Sequence, residues 1–284
     1  MEFWKMHGAG NDFIITDNRE GQISKVPSQL SEVAREVCQR HFGVGADGFM
    51  CVENSSVAEI KMVYYNADGS LATMCGNGLR CFAKYVYDQD IVKTMSFAVE
   101  TGDGMKQVKI KKTDTSCSMI RIDMGIWDGI INRSKVTALD RQFETAFLYL
   151  GVPHVVIFLD QKSTDAFEIN QDFVKQYGPI IEMDPQFPHG ANINFVSVID
   201  HCHERASTWE IGAGSTLACG TGACASAIAS KIILGLSSNI EVIMPGGKLN
   251  VVIEESERIF LEGPAQTICR GQIFNVTSDS GIGE

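Results

Sequence analysis

Two short segments place a cysteine in front of a glycine-rich turn and an apolar helical run. Cys75 begins the sequence Cys-Gly-Asn-Gly, and Cys219 begins Cys-Gly-Thr-Gly. Glycine lets a backbone turn sharply and approach a ligand closely, and the first N–H groups of a helix have no partner inside it. Together with the helix dipole, these groups bind an anion and favour a thiolate. Each segment therefore predicts an anion-binding turn beside a reactive sulfur atom.

A pair of such turns can carry out acid–base chemistry on one carbon atom. If the turns face each other, a carboxylate lies between two helix ends and the adjacent α-carbon has a sulfur on each side. One thiolate then removes a proton as general base, and the other thiol donates one to the opposite face. The N–H groups stabilise the charge that moves onto the carboxylate. We therefore predict inversion of an amino acid with no cofactor.

The positions of the two cysteines predict how the chain is organised. They lie 144 residues apart, about half of the 284 residues (219 minus 75), which indicates an internal repeat. We predict an α+β fold of two pseudo-symmetric halves, each a mostly antiparallel sheet around a central helix, with the active site in the cleft between them. The predicted halves are residues 1–120 with 270–284, and residues 121–269. A last strand near residues 271–276 returns to the first half.

Hydrophobic spacing predicts the elements that position these turns. A helix is predicted over residues 29–40, with Ser28 as its N-cap and Gly43 closing it. Helices over 79–87 and 223–234 follow the two cysteines, and the second is apolar nearly all round, which predicts burial on every side. The predicted strands are residues 61–66, 192–198, 239–244, 249–254 and 258–262.

Charge and composition exclude several classes of partner. The formal net charge is −11 and 44% of the residues are apolar, which argues against binding to nucleic acid or to an anionic membrane. No run approaches the roughly 20 apolar residues of a membrane helix, and the first residues do not have the pattern of a secretory signal. We therefore expect a cytoplasmic protein, and nine cysteines with no disulfide framework agree with a reducing compartment.

The remaining cysteines predict no metal site. Cys81 and Cys224 do not share a helix face with Cys75 and Cys219, and both are interpreted as packing residues. The sequence contains no Cys-x-x-Cys pair, so a zinc site is not expected. The segment from His201 to His203 could be part of a metal site, but an exposed turn is the favoured interpretation.

Seven motifs in order along the chain resemble those of diaminopimelate epimerases. They span nearly the whole sequence, which makes the resemblance specific. The motifs are His7-Gly-Ala-Gly-Asn11-Asp-Phe13, Gly43-Val-Gly-Ala-Asp-Gly48, Asn66-Ala-Asp-Gly-Ser70, Cys75-Gly-Asn-Gly78, Gly151-Val-Pro-His154, Gly190-Ala-Asn192 and Cys219-Gly-Thr-Gly222.

The resemblance implies a role for each of these residues, in a homodimer with a small amino-acid substrate, no metal and no pyridoxal phosphate. Cys75 and Cys219 would be the acid–base pair, supported by His154 and Glu210 respectively. The other implied substrate contacts are the side chains of Asn11, Asn66 and Asn192 at the far end, and the backbone donors of Gly76, Asn77, Gly220 and Thr221 at the reacting carboxylate. Each has a structural alternative: a core histidine, a strand glutamate, or asparagines that serve only as turn residues.

Two positions depart from the pattern of the family. Glu-Arg-Gly becomes Glu210-Ile211-Gly212, and Gly-Asn-Pro-His becomes Gly151-Val152-Pro153-His154. In the family, the arginine and the asparagine hold the distal carboxylate of the substrate. A planar guanidinium can bind a carboxylate through two hydrogen bonds, and the side chain of isoleucine cannot. Ile211 and Val152 therefore predict a substrate that lacks a distal carboxylate, such as histidine.

Several alternatives stay open at this point. Another arginine, such as Arg205, could replace the missing one, or the distal carboxylate could bind through water. The enzyme would then be a diaminopimelate epimerase that converts the LL form to the meso form for lysine or peptidoglycan synthesis. A proline-type racemase or a phenazine-type isomerase shares the same broad architecture. Outside enzymes, the turns could serve a non-catalytic anion-binding protein, or the two cysteines a reversible disulfide.

Overall fold

The computed structural model describes residues 1–21, 23–24, 26–114, 116–159 and 169–274. The chain forms two compact units, Met1–Ile122 with Pro264–Glu284 and Asp123–Gly263. Strands outnumber helices in both units, and the predicted α+β class is confirmed. Among the described residues, no helix has the length and apolar character needed to cross a membrane.

Four helices and seventeen strands are described. The helices are α1 (Pro27–Cys38), α2 (Gly76–Asp88), α3 (Gln171–Glu182) and α4 (Gly220–Leu234). The first eight strands are β1 (Glu2–Gly8), β2 (Asn11–Asp17), β3 (Gly48–Glu53), β4 (Ile60–Asn66), β5 (Leu71–Ala72), β6 (Ser96–Thr101), β7 (Gly104–Thr113) and β8 (Cys117–Ile126). The other nine are β9 (Asn132–Ala138), β10 (Arg141–Leu150), β11 (Val152–Phe158), β12 (Asn192–Asp200), β13 (His203–Glu210), β14 (Gly214–Ser215), β15 (Asn239–Met244), β16 (Gly247–Ile253) and β17 (Arg258–Gln272).

The two units repeat one order of strand pairing. In the first, β1–β2 is antiparallel, β2–β3 parallel, β3–β4 and β4–β5 antiparallel, and β4–β6 parallel. In the second, β10–β11, β11–β12, β12–β13, β13–β14 and β13–β15 follow the same sequence of directions. The helix that begins after a cysteine, α2 or α4, stands at the same place in each order, after the short strand β5 or β14.

The helices α2 and α4 lie in the cores of their units. Every residue of α2 from Gly76 to Val86 is buried, and the helix packs on β1, β2 and β7. In α4, Gly220 and all residues from Gly222 to Ser230 are buried against strands β10 to β13, β15 and β16. The prediction that α4 is buried on every side is correct as far as Ser230, but Ile232 and Leu234 in its last turn are exposed.

The start of α1 differs from the prediction. The N-cap is Val26 and Pro27 begins the helix, so Ser28 lies within the first turn. Proline suits this position because its fixed φ is helical and its missing N–H would have no partner there. The helix ends at Cys38, five residues before Gly43. The predicted apolar face is confirmed, since its members Leu30, Val33, Ala34, Val37 and Cys38 are all buried.

The last strand is longer than predicted. β17 continues through Gln272 and pairs first with β16, up to Glu262, and then with β1, from Gln266 onward. Gly-Pro pairs usually mark turns, but Pro264 lies inside β17, between the stretch that pairs with β16 and the stretch that pairs with β1. The separate strand predicted near residues 271–276 is therefore the end of β17, and its last two residues lie outside the described residues.

Candidate active site

Cys75 is the N-cap residue of α2. Its backbone is extended (φ −140°, ψ 120°) and its carbonyl accepts the N–H of Leu79. The half-buried thiol lies 3.6 Å from Oδ1 of Asn11, at the start of β2. The same amide oxygen lies 3.4 Å from Nδ2 of Asn77. The structure thus brings Cys75, Asn77 and Asn11 together at the amino end of a buried helix.

A buried arginine supports this helix end. Arg80 is fully buried and donates to Oδ1 of Asn77 at 2.8 Å, to the carbonyl of Gly76 at 3.4 Å and to the carbonyl of Pro264 at 3.2 Å. Its guanidinium therefore fixes the turn that carries the predicted backbone donors. Sequence reasoning missed Arg80, although a single arginine among the apolar residues that follow Cys75 is a usable signal, because a buried charge needs such partners.

Asn11 and Asn66, the two first-unit asparagines predicted to contact the far end of the substrate, also bond to other side chains. Nδ2 of Asn11 donates to Asp47 at 2.7 Å. Asn66 accepts a hydrogen bond from the hydroxyl of Tyr64 and donates one to Ser70, both 3.0 Å long. Asn66 therefore holds the turn between β4 and β5, which is the structural role considered above for asparagine.

Cys219 is the N-cap residue of α4 and is 4% exposed. Its sulfur accepts the N–H of Gly222 at 3.3 Å and lies 3.5 Å from the hydroxyl of Thr221. Gly220 is the buried first residue of the helix. The groups that face the sulfur are therefore Gly222 and the Thr221 hydroxyl, and the role of the Gly220 and Thr221 backbone as carboxylate donors stays a prediction.

The thiol of Cys219 has a raised pKa. Burial raises the pKa of its thiol well above the ordinary value, and the charge of Glu210 raises it further, while the bonds from Thr221 and Gly222 act in the opposite direction. Loss of hydration outweighs these two hydrogen bonds because a buried thiolate has no water to stabilise it. Burial and Glu210 therefore favour the neutral thiol at Cys219, which makes it the protonated member of the predicted thiolate and thiol pair.

Glu210 stands beside Cys219 at the end of β13. A hydrogen bond between the two side chains contributes to the raised pKa of the thiol, so the thiol is the donor and the carboxylate the acceptor. Oε1 of Glu210 also accepts the hydroxyl hydrogen of Thr216. The structure therefore places a carboxylate where it can exchange a proton with Cys219.

His154 is a fully buried residue of β11, in register with Asn192 of β12. Burial lowers the pKa of its imidazole to about 3, so the ring is neutral near pH 7. Nδ1 lies 3.2 Å from Nδ2 of Asn194. Nε2 is buried and has no hydrogen-bond partner among the described residues.

Asn194 is a site residue that sequence reasoning missed. Its amide nitrogen faces Nδ1 of His154 and the carbonyls of Val155 and Asn192, at 3.1 and 3.3 Å. Its amide oxygen accepts the hydroxyl hydrogen of Thr208 at 2.9 Å. The available signal was an asparagine two residues after Asn192 in an otherwise apolar strand, since such a buried amide must find partners.

The two departures from the family pattern are partly exposed. Ile211 is 41% exposed and Val152 is 40% exposed. The N–H of Ile211 donates to Oδ1 of Asn192 at 2.9 Å, and its side chain packs beside Gly190. The residue whose backbone bonds the asparagine predicted to contact the substrate is therefore apolar.

Arg205 does not replace the missing arginine at position 211. It is exposed and pairs with Ser197 and Ile243. Ile211 lies six positions further along the chain, just past the end of β13, which is about 20 Å in extended backbone. Elsewhere in the described part of this unit, Arg141 lies over the rings of Phe173 and Tyr177, and Arg258 is paired with Asp123.

The predicted turn after β12 contains a compact group of donor atoms. The side chains of Asp200, Cys202 and His203 lie within 4.8 Å of one another. Nδ1 of His203 lies 2.8 Å from Asp200, whose carboxylate also accepts the N–H of Cys202. These groups therefore bond to one another in a hairpin turn.

Solved structures identify the architecture. The chain superposes on a probable proline racemase from Agrobacterium radiobacter K84 with a TM-score of 0.69 at 14% identity, covering 96% of this chain and 92% of that one. A PhzF-family phenazine biosynthesis protein from Bacillus anthracis gives 0.68 at 14% identity, over 97% and 99% of the two chains. The fold is thus shared with racemases and with phenazine biosynthesis proteins.

Sequence comparison then gives the family. The model of the family described as diaminopimelate epimerase matches residues 3–127 and 146–268. The diaminopimelate epimerase of Alkaliphilus metalliredigens is 40% identical over 97% of this chain and 98% of its own. That of Clostridium perfringens is 40% identical over 95% and 98%. The chain belongs to the diaminopimelate epimerase family and is an isomerase.

Proposed function

We propose that the protein epimerises diaminopimelate at one α-carbon, with Cys75 and Cys219 as the acid–base pair. The observation that carries this proposal is the 40% identity, over almost the full chain, to relatives named diaminopimelate epimerase. The names of these relatives favour this substrate over an amino acid without a distal carboxylate, which Ile211 and Val152 predict. A cysteine at the N-cap of a buried helix in each unit supports the chemistry.

The proposed reaction is a proton transfer through two sulfur atoms. The thiol of Cys219 is neutral at rest because burial raises its pKa, so it is suited to donate a proton as general acid. Cys75 then serves as the base in that direction, and the two exchange roles in the reverse reaction. Backbone N–H groups at Gly76, Asn77, Gly220 and Thr221 stabilise the carboxylate as negative charge moves onto it. No cofactor is part of this proposal.

A second candidate substrate is an amino acid without a distal carboxylate, such as histidine. The observation that favours it is the pair of partly exposed apolar side chains, Ile211 and Val152, at positions where the family places an arginine and an asparagine. A charged hydrogen bond is worth about 1.5–3 kcal/mol, so losing one changes specificity by roughly tenfold to more than a hundredfold. Arg205 is too far away to compensate.

Exchange of the α-proton in D₂O separates the two substrates. The reduced enzyme is incubated with diaminopimelate, histidine and a panel of other L-amino acids, and α-deuteration is followed by mass spectrometry together with chiral analysis of the products. Rapid exchange of diaminopimelate alone supports the first candidate. Exchange of histidine or another single-carboxylate amino acid, with none of diaminopimelate, supports the second.

Two serine variants test the catalytic pair. We expect Cys75→Ser and Cys219→Ser each to lower kcat by about 10²–10⁴-fold, the usual contribution of a positioned acid or base. Cys269→Ser is the matched control, because this cysteine is exposed, and it should retain full activity. A non-catalytic anion-binding protein would show no α-exchange in any variant while Cys75→Ser kept its ligand affinity. Turnover under reducing conditions would exclude a purely redox function.

We further propose that the protein is a cytoplasmic homodimer without nucleic-acid or membrane partners. Support comes from the sequence alone, through its charge and its resemblance to the family. Size-exclusion chromatography with light scattering, run at several protein concentrations, would give twice the chain mass of 31.1 kDa. A constant mass of one chain would contradict the dimer.

A further inference from the structure

We propose that Asn194 is a positioning residue that holds the neutral imidazole of His154 in the tautomer with its proton on Nε2. The role of this ring in the reaction rests on the proposed function, whereas the tautomer itself follows from the contacts of Asn194. The ring then presents a fixed N–H donor to the reacting groups. It does not act as a proton-accepting base.

The orientation of the Asn194 amide comes first. Its nitrogen lies 3.1 Å from the carbonyl of Val155 and 3.3 Å from the carbonyl of Asn192. Carbonyl oxygens only accept hydrogen bonds, so the NH₂ group must face them and the amide oxygen must face Thr208. The Thr208 hydroxyl, 2.9 Å from that oxygen, completes the arrangement as a donor. Reversing the amide would set its oxygen against two carbonyl oxygens.

This orientation determines the proton position on His154. The group 3.2 Å from Nδ1 is the NH₂ of Asn194, which only donates, so Nδ1 must be the unprotonated acceptor. A neutral imidazole carries its one proton on the other nitrogen. Nε2 of the fully buried ring is therefore an N–H donor, and no described residue accepts from it.

A buried donor without a partner is costly, typically by about as much as a lost hydrogen bond. Such a cost is retained where the group has a use, and an acceptor that arrives with the substrate would remove it. A substrate oxygen atom that carries negative charge during the reaction suits this role, because a neutral N–H stabilises an anion without transferring its proton.

Asn194 also lies against the catalytic end of α4. A Cβ atom on Gly222 would overlap Oδ1 of Asn194 and lie 3.0 Å from Oγ1 of Thr208. Gly222 is the residue whose N–H bonds the sulfur of Cys219. The Asn194 amide therefore determines which nitrogen of His154 carries the proton. It also contacts the helix turn that carries Cys219.

Nitrogen NMR tests the tautomer directly. Protein labelled with ¹⁵N-histidine gives long-range ¹H–¹⁵N correlations that distinguish a protonated from an unprotonated ring nitrogen, and the His154→Gln spectrum identifies the signals of His154. We expect a protonated Nε2 and an unprotonated Nδ1 throughout pH 5 to 8. A proton on Nδ1 in the wild type would overturn the proposal, even if no variant folds.

The variant Asn194→Asp reverses the contact, because a carboxylate accepts where the amide donates. We expect the His154 proton to move to Nδ1 and kcat to fall by about 10²-fold or more, with KM nearly unchanged. Reversal of a histidine tautomer lowers kcat by up to about 10⁴-fold in serine proteases. Thr208→Val removes only the bond to the amide oxygen and should keep the proton on Nε2. Wild-type kcat in an Asn194→Asp protein whose tautomer has reversed would contradict the positioning role.

The two proposals can fail separately. If no amino acid undergoes α-exchange but the NMR shows a proton on Nε2, the proposed function falls and the tautomer assignment stands. If exchange is observed and the proton is on Nδ1, the proposed function stands and the tautomer assignment falls.

Discussion

The backbone N–H of Ile211 donates a 2.9 Å hydrogen bond to Oδ1 of Asn192. The bond fixes the Asn192 side chain beside position 211, with Ile211 packed against Gly190. Since both positions are predicted to meet the far end of the substrate, a change of side chain at 211 alters this pocket without moving Asn192. Position 211 is therefore the point at which substrate preference is best tested.

The variant Ile211→Arg should raise kcat/KM for diaminopimelate. A guanidinium beside Asn192 can bind a distal carboxylate through two parallel hydrogen bonds, and about 1.5–3 kcal/mol corresponds to a gain of roughly ten- to a hundredfold. Ile211→Met, of similar length but without charge, is the control and should show no such gain. Steady-state kinetics with diaminopimelate and histidine measures the effect, and an unchanged ratio of the two kcat/KM values would refute it.

The variant Glu210→Gln should lower the pKa of the Cys219 thiol. Burial and the charge of Glu210 both raise this pKa, and removing a negative charge beside a thiolate makes the thiolate easier to form. The pKa should stay above the ordinary value because burial remains. Measuring the rate of Cys219 alkylation against pH, by mass spectrometry of its peptide, should give a midpoint shifted to lower pH. Glu144→Gln, at an exposed position on β10, should leave the midpoint where it is in the wild type.

The variant Glu204→Gln should stabilise the protein more at pH 8 than at pH 5. Burial raises the pKa of Glu204 to about 7, against the hydrogen bond from Ser230. Between about pH 4.5 and 7 the unfolded chain loses this proton before the folded one, so stability falls as pH rises. The loss is at most about 1.4 kcal/mol per pH unit.

Glutamine cannot ionise and removes that pH dependence. Urea denaturation of Glu204→Gln and wild type at pH 5 and pH 8 should show a gap in the free energy of unfolding that widens at the higher pH. If the difference in free energy of unfolding is the same at pH 5 and pH 8, the charge of the Glu204 carboxylate is compensated in the folded state.

Alanine at Gly222 should be more damaging than alanine at Gly78, the equivalent position in α2. The new Cβ at 222 would overlap Oδ1 of Asn194, which its partners hold in place, whereas at 78 it would meet the flexible end of Met50. Overpacking costs typically 1–3 kcal/mol, and methionine adapts its shape readily. Urea denaturation and kcat of both variants test this order, and equal effects would show that Asn194 moves aside easily.

The sequence alone predicted the parts of the fold that depend on local signals. Cys75 and Cys219 were expected to begin helices because glycine-rich turns precede apolar runs, and both are N-cap residues. The apolar face of α1 followed from helical spacing. The length of β17 was missed because Gly263-Pro264 has the local composition of a turn, while its partners on β16 and β1 are distant in sequence.

Contacts between distant strands explain what the sequence could not predict. Asn194 touches His154 only because β11 and β12 are parallel and in register, and no spacing rule reveals that pairing. The neutral state of Cys219 likewise depends on burial and on Glu210, nine residues away in the chain. Local sequence indicated the helix field correctly, but the surrounding core determines the protonation state.

Val152 and Ile211 are each about two-fifths exposed, so the fold tolerates other side chains at these two positions. Exchanges at such positions usually change folding stability by no more than about 0.5 kcal/mol. The small residues of α4 from Gly222 to Ser230 have less freedom, because they are buried and a larger side chain in a packed core typically costs about 1–3 kcal/mol. If the proposed function holds, selection at these two positions can therefore change which amino acid is accepted while Cys75 and Cys219 stay the same.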